Sequence, residues 1–233
     1  MSRAELATSS APGLRRGLRD AATDLYFHSM RLVPANLLWG GMLMALVVLA
    51  SLWLPLVLLL PVLALPTVGI FRIAALVVRG APVSFRDGLA AWREQLLPAL
   101  VIGTTLLVVA AVLVVNVATG LTSGGVIGWS LATFAGWGLV AAWSLAWTVW
   151  PLLVDPARAH RSVRERLRLG VLLLVAHPWR IGAMAAVLGL LLAVSTIAFA
   201  ALVMIAVAYA ALVATRVVLP AADRLEAALG ARA

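Results

Sequence analysis

The sequence predicts an all-α, polytopic membrane protein of about six transmembrane helices, arranged as three hairpins that are each preceded by an amphipathic interfacial helix. Three observations carry this expectation. Hydrophobic residues make up 64% of the 233 and charged residues 12%, against about 45–50% and about 25% in a soluble domain. A water-soluble fold of this size could not hide that much apolar surface. Apolar runs at 36–78, 96–118, 126–154 and 181–219 each reach the about 20 helical residues that cross a bilayer. Finally, the charges concentrate in the segments 1–35, 79–95, 155–180 and 216–233 that flank those runs.

Charge placement fixes the number of crossings. If each long run is a hairpin, all four arginine-bearing segments fall on one side. The opposite turns, near 60–66, 119–125 and 195–196, then hold no ionisable residue. An odd number of crossings in either run would put an arginine cluster outside, against the positive-inside rule. Both termini are therefore expected on the cytoplasmic side of the membrane.

Taken in order, residues 1–12, rich in Ser, Thr, Ala and Pro, read as a disordered tail. The first 30 residues, with Arg3, Arg15, Arg16 and Arg19, show no signal-peptide h-region, and 13–233 read as one transmembrane domain. In the first lead-in segment Leu14, Leu18, Ala21, Leu25 and Leu32 form a helical stripe opposite Arg15, Arg16, Arg19 and Asp20, ending at Pro34. Spans at 36–58 and 62–79 follow. The second is interrupted by Pro66 and Gly69, so a re-entrant segment is the alternative there. Ser84 and Asp87 have capping-box spacing, and Phe85, Leu89, Trp92 and Leu96 make the next stripe before Pro98. Spans at 96–118 and 127–150 come next. Asp155-Pro156 reads as an N-cap followed by proline at N1. Ser162 and Glu165 repeat the cap, Val163, Leu167, Val171 and Leu174 the stripe, and Pro178 closes it before spans at 181–196 and 199–218. Each lead-in helix fits the headgroup layer, apolar side down. The three units share a pattern with little residue identity, which reads as convergence, since any hairpin entered from the charged side needs a charged flank and a break; descent from a repeated unit is the alternative.

Composition also excludes. The charge of +9 comes from 18 arginines and no lysine, placed as flanks rather than as a nucleic-acid recognition surface. With no cysteine, disulfides, thiolate metal sites and thiol catalysis drop out. His28, His160 and His177 have no metal-site spacing. There is no phosphate loop, nucleophile elbow or carboxylate relay within the spans. No enzyme activity and no cofactor is expected.

A few residues remain as candidate sites. Gly124, Gly128, Ala132 and Gly136 recur every four residues, with Gly182, Ala186 and Gly189 as a second set. Such stripes admit close helix packing, within the monomer or across a dimer seam. Arg72 is a charge inside an apolar run, about 10 Å of helix from Arg79. It is either a contact for an anionic ligand or a side chain snorkelling to the headgroups. Trp143 and Trp147, with Trp150, line one helix face as a stacking surface or a packing stripe, and Asn116 is an isolated amide in a span.

Asn36-Leu-Leu-Trp39, Leu65-Pro-Thr-Val-Gly69, Val77-Val-Arg-Gly80, Ser84-Phe-Arg-Asp87, Trp150-Pro151 and His177-Pro178 together resemble the YesL-like bacterial membrane proteins over residues 20–220. This chain departs in its longer apolar run before Leu65-Pro66. The resemblance implies no catalytic residues. It implies an association with carbohydrate uptake, and hence an accessory or scaffold protein whose partners are the lipid bilayer, a membrane transport complex or a second copy. A small transporter or permease subunit is the competing reading, and a lipid-modifying enzyme a third.

Overall fold

The structure, a computed structural model, describes residues 13–230; the tail expected at 1–12 lies outside the described residues. All regular structure in that range is helical. Six helical segments are long and apolar enough to cross a membrane: Ser29–Leu52, Leu54–Val78, Leu96–Ser123, Gly125–Val154, Pro178–Ile197 and Val203–Gly230. The chain is a multi-pass membrane protein. We number the helices α1 (Leu14–Phe27), α2 (Ser29–Leu52), α3 (Ala64–Val78), α4 (Phe85–Glu94), α5 (Leu96–Ser123), α6 (Gly125–Val154), α7 (Val163–Ala176), α8 (Pro178–Ile197) and α9 (Val207–Gly230).

Each lead-in helix meets its span at a single residue. His28, Gln95 and His177 leave the helical region with φ of −110°, −114° and −134°. Each donates its N–H to the preceding helix, at Asp24, Ala91 and Leu173, and accepts from the next one, from Leu32, Ala99 and Ile181. One residue thus closes one helix and opens another, leaving no loose backbone group at the bend. Capping boxes start α4 at Ser84 with Asp87 and α7 at Ser162 with Glu165.

The prolines do less than expected. Pro178 opens α8 and Pro98 sits in the first turn of α5, where a missing N–H has no consequence. Pro34, expected to end the first lead-in helix, lies inside α2. The break comes earlier, at His28. A proline in the second turn removes one hydrogen bond, the one Met30 would have accepted, and Met30 is 90% exposed at the helix mouth.

The first turn at the uncharged end also moves. Rather than reversing at 60–66, the chain reverses at Trp53, which is extended. It returns as a ten-residue 3₁₀ run, Leu54–Leu63, that continues into α3. Pro55 and Pro61 cannot donate to an α-ladder, and the tighter helix tolerates their spacing. At about 2.0 Å per 3₁₀ residue and about 1.5 Å per α residue, the 25 residues from Leu54 to Val78 are long enough for a full crossing. The re-entrant alternative is not needed. The other turns at that end are Gly124-Gly125, with φ of +62° and +65°, which favours glycine at both positions, and Ala198 after α8.

Packing sorts the spans into two layers. The second, fourth and sixth spans touch one another, with 33, 50 and 67% of their apolar windows buried, while the first, third and fifth bury 28, 6 and 28%. Alanine makes the inner layer close: Ala208, Ala210, Ala211, Ala214 and Ala222 of α9 are fully buried. Small side chains let helix backbones approach where lipid supplies no hydrophobic drive for association.

The lead-in helices pack cyclically on this inner layer. α4 lies on α3, α7 on α6 and α1 on α9. A glycine faces the neighbour in each case. A Cβ at Gly17 would meet Val217, one at Gly88 would meet Ile73 and the carbonyl of Gly69, and one at Gly170 would meet Val149 and Thr148. Each lead-in helix therefore covers the second span of the hairpin before it, and the first closes on the last. These are the helices expected in the headgroup layer, and their inward faces also rest on protein.

One further junction depends on a single amide. The sixth span opens with a π-helical turn, Leu202–Ala206. Asn36, fully buried on α2, donates Nδ2–H to the Val203 carbonyl and accepts at Oδ1 from the Ala208 N–H, both at 2.6 Å. The side-chain amide stands in for a peptide group between residues five apart. Gly40, one turn along α2, admits the approach, since a Cβ there would lie 2.9 Å from the Val203 Cα.

Candidate functional site

The polar chemistry of this protein converges where the three inner spans end. α6 ends at Val154, and Asp155 leaves the helix and accepts from the Ala157 N–H to cap the 3₁₀ turn Pro156–Arg158. That cap fits the Asp155-Pro156 expectation, but the carboxylate does more. Its side chain is fully buried and faces two arginines. Arg79, just past α3, donates Nε–H to Oδ1 at 3.1 Å and Nη2–H to Oδ2 at 2.6 Å. Arg158 donates Nη1–H to Oδ2.

α9 supplies the third side. It runs past its apolar stretch to Gly230, so that Asp223 and Glu226, three residues apart, project from one face. Asp223 accepts from Arg79 Nη1 at 2.8 Å and from Arg158 Nη2 at 2.6 Å. Glu226 accepts from Arg158 Nε at 3.1 Å and Arg161 Nη1 at 2.6 Å. Every carboxylate is thus held by two arginines, and Arg158, 3% exposed in its side chain, touches all three.

Two more arginines complete the end of α6. Arg72 donates Nη1–H to the Val154 carbonyl at 2.8 Å. Arg166, buried on α7, donates to the carbonyls of Leu153, Ala159 and Arg161. Cations are favoured at the negative end of a helix, where the last carbonyls lack partners.

The electrostatics follow the contacts. The hydrogen bonds Arg79 donates to Asp223 and then to Asp155 outweigh partial burial and raise its pKa above the ordinary value. Burial alone would lower Arg158, but its bonds with Glu226 and Asp223 win and the direction is upward. Burial lowers Arg166; Asp155 opposes and nearby Arg72 adds to the decrease. Paired, multiply bonded ions of this kind join elements and do not exchange protons at neutral pH. A second link, Arg216 Nη2 to Asp24 Oδ2 at 2.5 Å, joins α9 to α1.

The spans themselves enclose an apolar cavity of about 470 Å³. It lies between α2, the 3₁₀ run, α3, α5 and α6, with Trp39, Thr67, Leu106, Leu139, Trp143 and Trp150 in its wall. Trp39 donates its indole N–H to Thr67 Oγ1, which donates on to the Leu63 carbonyl, and Trp143 donates to the Ala185 carbonyl.

The residues singled out from the sequence disperse. Arg72 joins the charged cluster, while Trp143 lines the cavity. Trp147 is buried between Phe71 and Trp143, its indole N–H unpaired. Asn116 is partly exposed on α5, outside the cavity wall. Among the small residues, Gly124 forms a turn, so it is no part of a packing stripe. Gly128 and Ala132 pack inside the hairpin against Gly120, whose Cβ would lie 2.5 Å from the Gly128 carbonyl. Gly189 faces Trp143, while Gly136 and Gly182 face open space.

Sequence reasoning set the acidic residues aside as lying outside the spans, and so missed Asp155, Asp223 and Glu226. The signal was present as matched spacing: Arg158 and Arg161, Asp223 and Glu226, both i and i+3. Asn36 was missed as a packing residue because it is a lone amide at the start of an apolar run, and Gly120 because 119–125 reads as a turn whereas α5 continues to Ser123.

Against known proteins, the chain matches no family model, no curated protein and no solved structure.

Proposed function

We propose that this chain is a non-enzymatic accessory or scaffold protein of a bacterial inner membrane, with its charged end and both termini in the cytoplasm. One observation supports the reading above the others. The ends of the three inner spans are joined by mutually neutralising ion pairs around Arg79 and Arg158. A carrier working by alternating access rocks one part of its bundle against another. A bundle joined across all three inner spans at one end favours a fixed platform instead. The cavity within the spans is apolar and does not contain Arg72 or Asn116, which weighs against a hydrated path for a polar solute. The link to carbohydrate uptake rests on the resemblance to YesL-like proteins alone.

Two measurements on the full chain separate scaffold from transporter. Mild-detergent purification from native membranes should bring down a stoichiometric membrane partner. Proteoliposomes holding the chain alone should show no uptake of labelled mono- or disaccharides above protein-free vesicles. Saturable uptake by the isolated chain would overturn the scaffold reading in favour of the transporter.

A further inference from the structure

The geometry points to a lipid site: the cavity beside α6 takes one ester-linked acyl chain of a bilayer phospholipid, and Trp150 donates its indole N–H to the ester carbonyl. This inference does not rest on the scaffold reading.

Shape comes first. Along α6 the cavity wall runs from Leu139 to Trp150, about 16 Å of helix, close to the about 15 Å of one leaflet's hydrocarbon. About 470 Å³ along that length has room for one extended hydrocarbon chain. Leu107 and Trp143 at the rim are 37 and 39% exposed. The third span, which forms one wall, buries only 6% of its apolar window. The channel therefore opens sideways, where the surrounding solvent is lipid.

Polarity supplies the orientation. The N–H groups of Trp39 and Trp143 are already spent within the protein, so most of the wall offers only apolar faces. Trp150 differs. It lines the cavity and is 8% exposed. Its N–H has no partner among the described residues, yet unlike that of Trp147 it is not sealed off. A buried indole N–H ordinarily finds an acceptor. Trp150 stands one turn before Val154, where α6 meets the charged end. That is the level at which amphipathic indoles meet the polar edge of the bilayer and at which a glycerol ester carbonyl lies. An acyl tail running from Trp150 towards Leu60 satisfies both the donor and the apolar channel.

The test uses the full chain in phosphatidylglycerol vesicles doped with a phosphatidylglycerol whose acyl chain carries a mid-chain diazirine, in ester-linked and ether-linked forms. After irradiation, adducts are mapped by mass spectrometry. Adducts should concentrate on Leu106 and Leu139 over Val112 and Val115, exposed residues of α5 that report ordinary bilayer contact. The ester form should outlabel the ether form at the cavity about two- to tenfold, the range expected for one net hydrogen bond. Trp150→Phe should bring that ratio to one while leaving labelling of Val112 and Val115 unchanged. The pair Ala110→Phe and Ala142→Phe should fill the channel and abolish its adducts, again with Val112 and Val115 labelled as before. Cavity labelling no stronger than at Val112, or persisting in the filled variant, would overturn the chain site. Equal labelling by ester and ether in the wild type would overturn the role of Trp150.

Discussion

Arg158 Nη2 and Asp223 Oδ1 lie 2.6 Å apart although 65 positions separate them in the chain. Their pairing, with Asp155 beneath and Glu226 beside it, joins the end of the fourth span to the end of the sixth. The same arginine is desolvated, and among its partners Asp155 is fully buried as well: removing that member of a buried pair leaves the other charge uncompensated.

Asp155→Ala should therefore destabilise the fold by about 3–5 kcal/mol, read as a shift in the denaturation midpoint in detergent. Asp223, with a side chain 44% exposed, is largely screened, and Asp223→Ala should cost about 1 kcal/mol or less. Equal effects at the two positions would contradict the buried character of the Asp155 pair.

Arg79 gives the cluster its alkaline behaviour. Its pKa is raised in the folded state by Asp223 and Asp155. A raised cation contributes stability below its unfolded value and loses it only as pH climbs through the folded value, which lies beyond any pH used with proteins. Stability should be flat between about pH 7 and about pH 10 on account of this group. In Arg79→Lys, the ammonium has an ordinary pKa of about 10.4 and no planar fork for two carboxylates. That variant should be weaker at neutral pH and fall further on the alkaline side. A matching fall in the wild type would remove the argument.

Asn36→Leu should orphan the Val203 carbonyl and the Ala208 N–H together. At about 1–3 kcal/mol for each of the two unsatisfied buried groups, the cost is about 2–6 kcal/mol. Amide exchange at Ala208 should accelerate before exchange elsewhere in α9. Unchanged protection there would show that the π turn holds itself.

Gly120 and Gly136 make a paired test of helix packing. A methyl at Gly120 meets backbone atoms at 2.5 and 2.7 Å and must part α5 from α6, at about 1–3 kcal/mol. At Gly136 nothing lies within 4 Å, so alanine should be neutral or stabilise by up to about 1 kcal/mol. A destabilising Gly136→Ala would place a second copy of the chain on that face.

Topology is testable by reporter fusions. Sites in residues 80–84 and at the C-terminus should fall on one side of the membrane and a site at Trp53 on the other. Any other pattern excludes six crossings.

Charge placement made the span number legible, because arginine is costly to carry across a bilayer. Boundaries were less so: Pro34 was taken as a break, yet a helix gives up one hydrogen bond near its mouth and continues. Which spans lie inside was not readable at all. Leu, Val and Ala serve a lipid-facing surface and a packed one equally, and only the burial of α9 separates them. For the same reason Asp155 and Glu226 could be seen as flanking charges but not as partners, since their meeting depends on the arrangement of the second, fourth and sixth spans. Arg72 was recognised as unusual, and its carbonyl partner at Val154 lies on a helix that sequence alone does not bring near.

The cyclic packing of the lead-in helices bears on how the protein is made. α1 leaves the ribosome long before α9, yet the surface it covers is on α9, where Tyr209 donates to the Leu18 carbonyl across 191 positions of chain. It therefore has no docking face until α9 has been made. The ring closes only then, and a product truncated ahead of α9 leaves both α1 and the charged ends of the second and fourth spans without the partners that α9 supplies.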